Sequence, residues 1–136
     1  MTASYCKLVI LIGIFLVTKH ITAQNPDSTK FNVEIDAKVL KNLHTQGDKH
    51  LAAFEINEAL KCYLELLKYK PDNANYNFKT GLCYLYSFNE QKKAISYLEK
   101  AVKEITFDYM YIDDKQTKAP VDALYFLGKA YMANQK

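Results

Sequence analysis

A glycine recurs inside apolar stretches of this chain at a regular spacing, and this recurrence limits the possible folds more than any other feature. Gly47 is followed 34 residues later by Gly81. The stretch "EALKCYLELL" (58–67) is echoed by "KAISYLEKAV" (93–102) at nearly the same step. Self-similarity at such a period is typical of stacked helix pairs, because each unit buries its apolar face only against its neighbours. The sequence therefore predicts an all-α helical repeat.

A third glycine stands in a matching environment near the end of the sequence. Gly128 in "ALYFLGKAY" (123–131) corresponds to Gly81 in "YNFKTGLCY" (76–84), and both are followed by a tyrosine three positions later. Glycine costs about 1 kcal/mol relative to alanine in a helix interior. We expect the glycines because a residue without a side chain lets the backbones of two paired helices approach closely.

Further residues keep fixed positions around these glycines. The first unit, 40–73, has Gly47, Ala59, Tyr63, Leu66 and Pro71; the second, 74–108, has Gly81, Tyr84, Ala94, Leu98 and Ala101; the third, 121–136, stops after one helix. This arrangement resembles the tetratricopeptide repeat, which implies a solenoid of helical hairpins with about two and a half repeats over residues 40–136. The first unit departs from the family pattern at His50, where an aromatic residue is usual, and at Phe54, where the turn normally has glycine.

The spacing is broken once, between the second and third units. Gly81 and Gly128 are 47 residues apart, and most of the excess falls in an insertion over residues 105–120. With this insertion the chain resembles Bacteroidota cell-envelope proteins in which tetratricopeptide repeats follow a signal peptide and commonly precede a β-propeller and an OmpA-like peptidoglycan-binding domain. Residues 24–136 contain neither of those domains. The alternative that this resemblance implies is a truncated or stand-alone relative whose repeats only pack on other domains.

The first 23 residues have the layout of a secretory signal peptide. Lys7 precedes a ten-residue apolar run, Leu8 to Val17, that is too short to span a bilayer, and "ITAQ" (21–24) supplies a cleavage site after Ala23. An uncleaved anchor stays open as the alternative. Cleavage predicts export to the periplasm or the outer-membrane periphery, and residues 24–39 then form a lead-in segment.

Composition argues against a nucleic-acid partner. The chain has 18 lysines and no arginine, although bidentate phosphate sites favour arginine. Removal of the leader takes away two lysines and no acid, which lowers the formal charge from +3 to +1. A near-neutral chain offers no strong attraction for nucleic acid or anionic lipid.

No pattern of residues predicts catalysis, a metal site or a cofactor site. His44 and His50 are six residues apart, an offset that does not place them on one helix face. Asp108, Asp113 and Asp114 could form a loose cation site, but they lack the alternation and turn glycine of a calcium loop, and a solvated acidic loop is the favoured interpretation. An enzyme or enzyme fragment is therefore the less favoured class.

Two cysteines, Cys62 and Cys83, fall on neighbouring helices of the predicted repeat. Export would permit a disulfide between them. Cysteine also serves as a small apolar residue within helices, and a disulfide needs closely aligned Cβ atoms. Two free thiols are the favoured interpretation, with the disulfide left open.

The resemblance places the first helix of each unit along a concave groove. The first unit would contribute Lys41, His44, Thr45 and Asp48, and the second would also contribute Asn75. The apolar and aromatic half of the groove would comprise Phe78, Lys79, Leu82, Leu85, Tyr86, Tyr125, Phe126, Lys129 and Met132. This surface predicts a non-catalytic scaffold that binds a protein or peptide. The alternative is that these side chains only pack against the insertion or another domain.

The third unit has one helix, at about residues 121–134, with apolar residues almost all round it. Leu124, Leu127 and Tyr131 cannot all face the second unit. Repeat arrays normally end in a polar cap. We therefore expect self-association through this helix, or a chain that is a truncated relative of a longer protein.

Overall fold

The computed structural model describes residues 36–135, and these are mostly helical. In chain order the elements are α1 (Ala37–Ala52), α2 (Ile56–Tyr69), α3 (Ala74–Tyr86), α4 (Gln91–Ala101), β1 (Ile105–Thr106), β2 (Ala119–Pro120) and α5 (Ala123–Ala133). The predicted all-α class is therefore confirmed for the described residues. The predicted signal peptide and residues 24–35 of the lead-in segment lie outside them.

Two of the helices, α1 and α3, begin at polar residues whose side chains cap them. The Asp36 carboxylate accepts a hydrogen bond from the backbone N–H of Lys38, and the Asn73 side chain accepts one from the N–H of Tyr76 at 2.9 Å. Pro71 stands between α2 and α3, as expected of a residue that cannot continue a helix. Pro120 does not enter the first turn of α5, because it belongs to β2.

Each helix packs against the next one in the chain, and the glycines lie where two of the pairs come closest. A Cβ atom added at Gly47 would lie 2.9 Å from Cε1 of Tyr63, and one at Gly81 would lie 2.6 Å from Cγ of Leu98. The predicted reason for these two glycines is therefore confirmed. It is wrong for Gly128, where no atom lies within 4 Å of an added Cβ, because within residues 36–135 no helix packs against that side of α5.

The central helix, α3, is buried on every side. Twelve of its thirteen residues are buried, polar ones included. Helices α2 and α4 pack against it, and the insertion crosses its remaining face. Around it, the core contains fully buried side chains that include Tyr63, Leu66 and Leu98.

The insertion folds back on the helices. Its ends meet in a short parallel ladder that pairs Ile105 with Ala119 and Thr106 with Pro120. Residues 107–118 between the two strands, here called the strap, cross α3 and reach α1. The strap is fixed there by a hydrogen bond from the N–H of Asn75 to the carbonyl of Thr117, at 2.9 Å, and by an ion pair between Lys41 and Asp114, at 3.3 Å.

The turn between α1 and α2 contains a strained residue. Phe54 has φ 59°, the left-handed region that a bulky side chain avoids. Glycine would adopt this conformation without steric strain, but the sequence has phenylalanine at this position. The turn of the α1–α2 hairpin therefore carries a local strain.

None of the helices in residues 36–135 is both long enough and apolar enough to cross a membrane.

Candidate functional site

The nine residues predicted for the apolar and aromatic half of the groove divide into two groups in the structure. Phe78, Lys79, Leu82 and Leu85 are buried, so they do not line an open groove, and that part of the prediction is corrected. For Phe78 and Lys79 the physical reason is the strap, which places Tyr109 against Phe78 at a ring-centroid distance of 6.3 Å and accepts a hydrogen bond from Lys79 at the carbonyl of Tyr111. For these two residues the structure matches the alternative, packing against the insertion. Leu82 and Leu85 belong to the buried core around α3.

The other five predicted residues keep contact with solvent. Tyr86, Tyr125 and Met132 are exposed, whereas Phe126 and Lys129 are half-buried. Phe126 packs against Phe78 with their ring centroids 5.9 Å apart. The five residues therefore lie on α5 and on the last turn of α3.

A small surface forms around Tyr86. The Phe54 ring lies 5.6 Å from the Tyr86 ring, and the Lys129 ammonium lies 5.3 Å from the centroid of the same ring. These three residues, here called the Tyr86 patch, bring the α1–α2 turn, the end of α3 and α5 to one place. Sequence reasoning missed Phe54, although an aromatic residue in place of the usual turn glycine was a visible signal.

Below the strap, polar side chains from three helices form one buried network. Lys79 is 0% exposed, and its ammonium donates to Oδ1 of Asp48 at 2.5 Å. The hydroxyl of Tyr63 donates to the same oxygen at 2.7 Å. His44 Nε2 lies 2.9 Å from the other carboxylate oxygen, Oδ2. Helix α1 thus supplies an acid and an imidazole, α2 a phenol and α3 an ammonium.

His44 Nε2 faces two groups of the network, Oδ2 of Asp48 at 2.9 Å and the Lys79 ammonium at 3.3 Å. A carboxylate only accepts hydrogen bonds, so the contact with Asp48 is a hydrogen bond when Nε2 carries a proton. Nδ1 has no hydrogen-bond partner among the described residues. The ammonium of Lys79 also reaches the strap. It bonds to the carbonyl of Tyr111 at 3.2 Å and lies 4.7 Å from the centroid of the Tyr111 ring.

Burial and pairing shift the pKa values in this network. Burial alone would raise the pKa of Asp48, but hydrogen bonds from His44, Lys79 and Tyr63 and the charge of Lys79 outweigh it and lower the pKa. Burial lowers the pKa of Lys79, and the hydrogen bond and charge of Asp48 oppose that shift only in part. Burial, followed by the nearby charge of Asp48, raises the pKa of Tyr111 to about 12. Asp48 is therefore held as an anion beneath the strap.

A second anchor of the strap is Asn75, one helical turn before Lys79. Its side-chain N–H donates to the carbonyl of Gln116 at 3.1 Å, and its side-chain oxygen accepts from the hydroxyl of Tyr109 at 2.5 Å. Together with the backbone bond to Thr117, Asn75 makes three hydrogen bonds to the strap. Asn75 and Lys79 are therefore two residues of α3 that hydrogen-bond to the inserted segment.

The network borders a cavity of about 340 Å³ between α1 and the strap. Its lining includes His44, Asp48, Lys49 and Tyr111. Imidazole, carboxylate and ammonium groups are also the groups that enzymes use for proton transfer. Here Asp48 accepts a hydrogen bond from Lys79, and Lys79 also donates to the carbonyl of Tyr111. Through Lys79 the network therefore holds the strap in place.

Two acidic residues of the strap form contacts with other residues of the protein. Asp114 pairs with Lys41, and Asp113 accepts a hydrogen bond from the backbone N–H of Lys115. Within residues 36–135, no three side chains of histidine, cysteine, aspartate or glutamate lie together as metal ligands would. The loose cation site considered for these aspartates therefore does not form in the described structure.

Both cysteines of the helices are free thiols, as favoured from the sequence. Cys83 is buried, and burial, with the nearby Cys62, raises its pKa to about 12. Burial also raises the pKa of Cys62, which is half-buried. A thiol with a raised pKa is a poor nucleophile at neutral pH, so both act as small apolar side chains.

Comparison with families of known proteins, with curated proteins and with solved structures finds no match for this chain.

Proposed function

We propose that this chain is a non-catalytic protein-binding module built from tetratricopeptide-type helix hairpins. Two features support the repeat type. The glycines of the first two units lie at close helix contacts, and the aromatic or aliphatic partner in each case comes from the second helix of the same hairpin. The hairpins thus use the small residue of the first helix as the resemblance implies.

The observation that carries the binding role is the Tyr86 patch. Phe54 is 68% exposed although its backbone is in a strained conformation, and Tyr86 beside it is 41% exposed. Backbone strain of this kind is concentrated at functional sites, because elsewhere a better-suited residue would take the position. Tyrosine is also one of the residue types that are enriched in binding hot spots. A partner protein that covers Phe54 and Tyr86 would remove this apolar surface from water.

A photo-crosslinking amino acid placed at Tyr86 tests this function. In the native host we expect one or a few discrete crosslinked proteins, identified by mass spectrometry. The matched control is the same crosslinker at Lys61, an exposed position on α2 that is not one of the three patch residues. The patch is the binding site if the species form from position 86, do not form from position 61 and are lost with Phe54→Ser. Identical products from both positions, or none from position 86, would refute it.

Substitution of Tyr86 measures how much the patch contributes to the binding free energy. Against the partner so identified, Tyr86→Ala should weaken binding by about 1–3 kcal/mol, the range of a modest hot spot. Leu98→Ala, which empties a fully buried site, should instead lower the free energy of unfolding by about 2–5 kcal/mol. Equal losses of stability in the two variants, with binding unchanged, would show that Tyr86 has only a packing role.

The proposed location is the cell envelope, reached by export. This part rests on the amino-terminal sequence, where "ITAQ" (21–24) follows the short apolar run. Intact-mass measurement on protein from the envelope fraction should give a chain that begins at Gln24. A cytoplasmic chain that retains Met1 would contradict export.

A further inference from the structure

One face of α5 carries an uncharged stripe of exposed residues with a glycine at its centre. The stripe, here called the α5 stripe, consists of Leu124, Tyr125, Gly128, Tyr131 and Met132. These residues follow one another at helical spacing, so they lie on one face of the helix. Their four side chains are between 41% and 67% exposed, while another face of α5 packs against α4. The stripe is therefore an apolar surface that lacks a cover within residues 36–135.

The glycine at its centre leaves room for a large side chain. At the two corresponding glycines, another helix fills that room: Tyr63 lies 2.9 Å from a Cβ added at Gly47, and Leu98 lies 2.6 Å from one added at Gly81. At Gly128 no atom lies within 4 Å of an added Cβ. The open face of α5 can therefore receive a helix that places an apolar side chain on Gly128.

The α5 helix of a second copy carries a suitable side chain. In an antiparallel pair whose two-fold axis passes at the level of Phe126, position 124 of one helix lies opposite position 128 of the other. Leu124 of each copy then packs on Gly128 of the other, as Leu98 packs on Gly81 within the chain. A two-fold interface uses the same surface on both copies, so one arrangement fills both glycine sites.

The same offset brings opposite charges together. Asp122 and Lys129 are seven residues apart, so they lie on the same side of the helix. In the antiparallel pair, Asp122 of one copy comes beside Lys129 of the other, and the two-fold axis repeats this ion pair. Exposed ion pairs add little affinity, but they favour one relative direction of the two helices over the other.

Head-to-tail stacking of copies fits the structure less well. The helix at the other end of the array, α1, exposes Lys38, Lys41 and Lys49. Contact between α1 and the α5 stripe would therefore remove ammonium groups from water without supplying a charged partner on the stripe. The uncharged stripe meets no such cost when it packs against its own copy.

The size of the stripe sets the strength of the contact. From the exposed fractions of its side chains, pairing would bury at most roughly 900 Å² over both copies, which is below the standard size of stable interfaces. An interface of this size is typical of weak, reversible association. We therefore expect a dissociation constant in the micromolar range.

We propose that this chain forms a two-fold dimer through antiparallel α5 helices, with Leu124 of each copy seated on Gly128 of the other. The second copy supplies the apolar side chain that Gly128 does not meet within residues 36–135. The proposal goes beyond the partner-binding function, which rests on Phe54 and Tyr86. Either can fail without the other.

Sedimentation equilibrium measures the dimer, and Gly128→Leu tests the site. The new side chain would occupy the room that Leu124 of the second copy takes, so the dissociation constant should rise at least about tenfold. In dilute solution, where the chain is monomeric, this change should not lower the unfolding midpoint, because nothing lies near the added Cβ. The matched control is Gln46→Leu, which adds a leucine at an exposed position of α1 and should leave the dissociation constant unchanged.

Three results of this measurement would overturn the proposal. They are a monomer throughout the micromolar range, assembly into species larger than a dimer, and equal effects of Gly128→Leu and Gln46→Leu on association. A monomer would mean that the stripe is covered by another protein or by another part of the chain instead of by a second copy.

Cysteine crosslinking tests the offset of the two helices without relying on a bulky substitution. A mixture of Leu124→Cys and Gly128→Cys chains should form linked dimers at least about tenfold faster than either variant alone, because only the unlike positions lie opposite each other. Mass spectrometry should locate the bond between positions 124 and 128. Faster linkage within either single variant, or no linkage between these positions, would refute the proposed pairing.

Discussion

Replacement of the glycines by alanine should have opposite effects at two positions that look equivalent in the sequence. In Gly81→Ala the new Cβ would lie 2.6 Å from Cγ and 2.8 Å from Cδ2 of Leu98. Leu98 is fully buried, so its side chain has no free space to enter. Overpacking of this kind costs about 1–3 kcal/mol, and the gain in helix propensity returns about 1 kcal/mol. Because the contact is so short, we expect a net loss of about 1–2 kcal/mol.

Gly128→Ala is the matched control. Nothing lies within 4 Å of its added Cβ, so only the propensity gain remains, and the chain should become more stable by about 1 kcal/mol. Gly47→Ala falls between the two. Its Cβ would meet the Tyr63 ring at 2.9 Å, a longer contact than the 2.6 Å at Gly81, so we expect a smaller loss than at Gly81.

The assay is urea unfolding followed by helical circular dichroism, with unchanged slopes required for a simple comparison. A double-mutant cycle tests whether the loss in Gly81→Ala comes from the clash with Leu98. Leu98→Ala removes the atoms that clash, so Gly81→Ala should stop being destabilising in that background. Stabilisation by Gly81→Ala in the unaltered chain, similar to that by Gly128→Ala, would refute the close approach of α3 and α4.

Three other predictions concern the turn, the buried acid and α5. Phe54→Gly should raise the free energy of unfolding by about 1 kcal/mol, because relief of the left-handed strain exceeds the exposed contact with Tyr86, and a lower urea midpoint would show the reverse. The Asp48 pKa is lowered from 3.8, so the contribution of this carboxylate to stability is complete above about pH 4 and is lost as pH falls through the folded-state pKa. Unfolding curves of Asp48→Asn should lack this acid dependence. An unchanged pH profile in that variant would contradict the role of Asp48. The exposed α5 face of Leu124, Tyr125, Tyr131 and Met132 should produce self-association at micromolar concentrations that Tyr125→Lys with Met132→Glu abolishes in light scattering, and a monomer before and after the change would refute it.

The helix hairpins were predictable because their signals are local. Helix caps such as Asn73 act within three residues, and the glycine at each close contact recurs with the period of the repeat. Gly128 marks the limit of that reasoning. The same residue in the same sequence context has a different role, because its effect depends on whether a second helix packs there.

The position of the strap could not be read from the sequence. The repeat period shows that residues are added after α4, but not where they fold. The decisive contacts join residues more than thirty apart, such as Tyr111 with Lys79 and Tyr109 with Asn75. Several of these contacts use backbone carbonyls, which every residue has, so no pattern of side chains in the sequence predicts them. For this reason Phe78 and Lys79 were placed on an open surface when the structure buries them.

The polar character of the covered face of α3 bears on why the strap is there. Lys79 and Asn75 are both 0% exposed, four residues apart on one face of the helix. If that face existed only to be packed over, apolar residues would serve better, because replacing a buried ion pair with well-packed apolar residues is often neutral or stabilising. The Asn75 amide and the Lys79 ammonium instead donate to the strap carbonyls of Gln116 and Tyr111, which would otherwise lose hydrogen-bond partners where the strap covers the helix. The polar residues of this face therefore fix the position of the strap in a way that apolar packing alone would not.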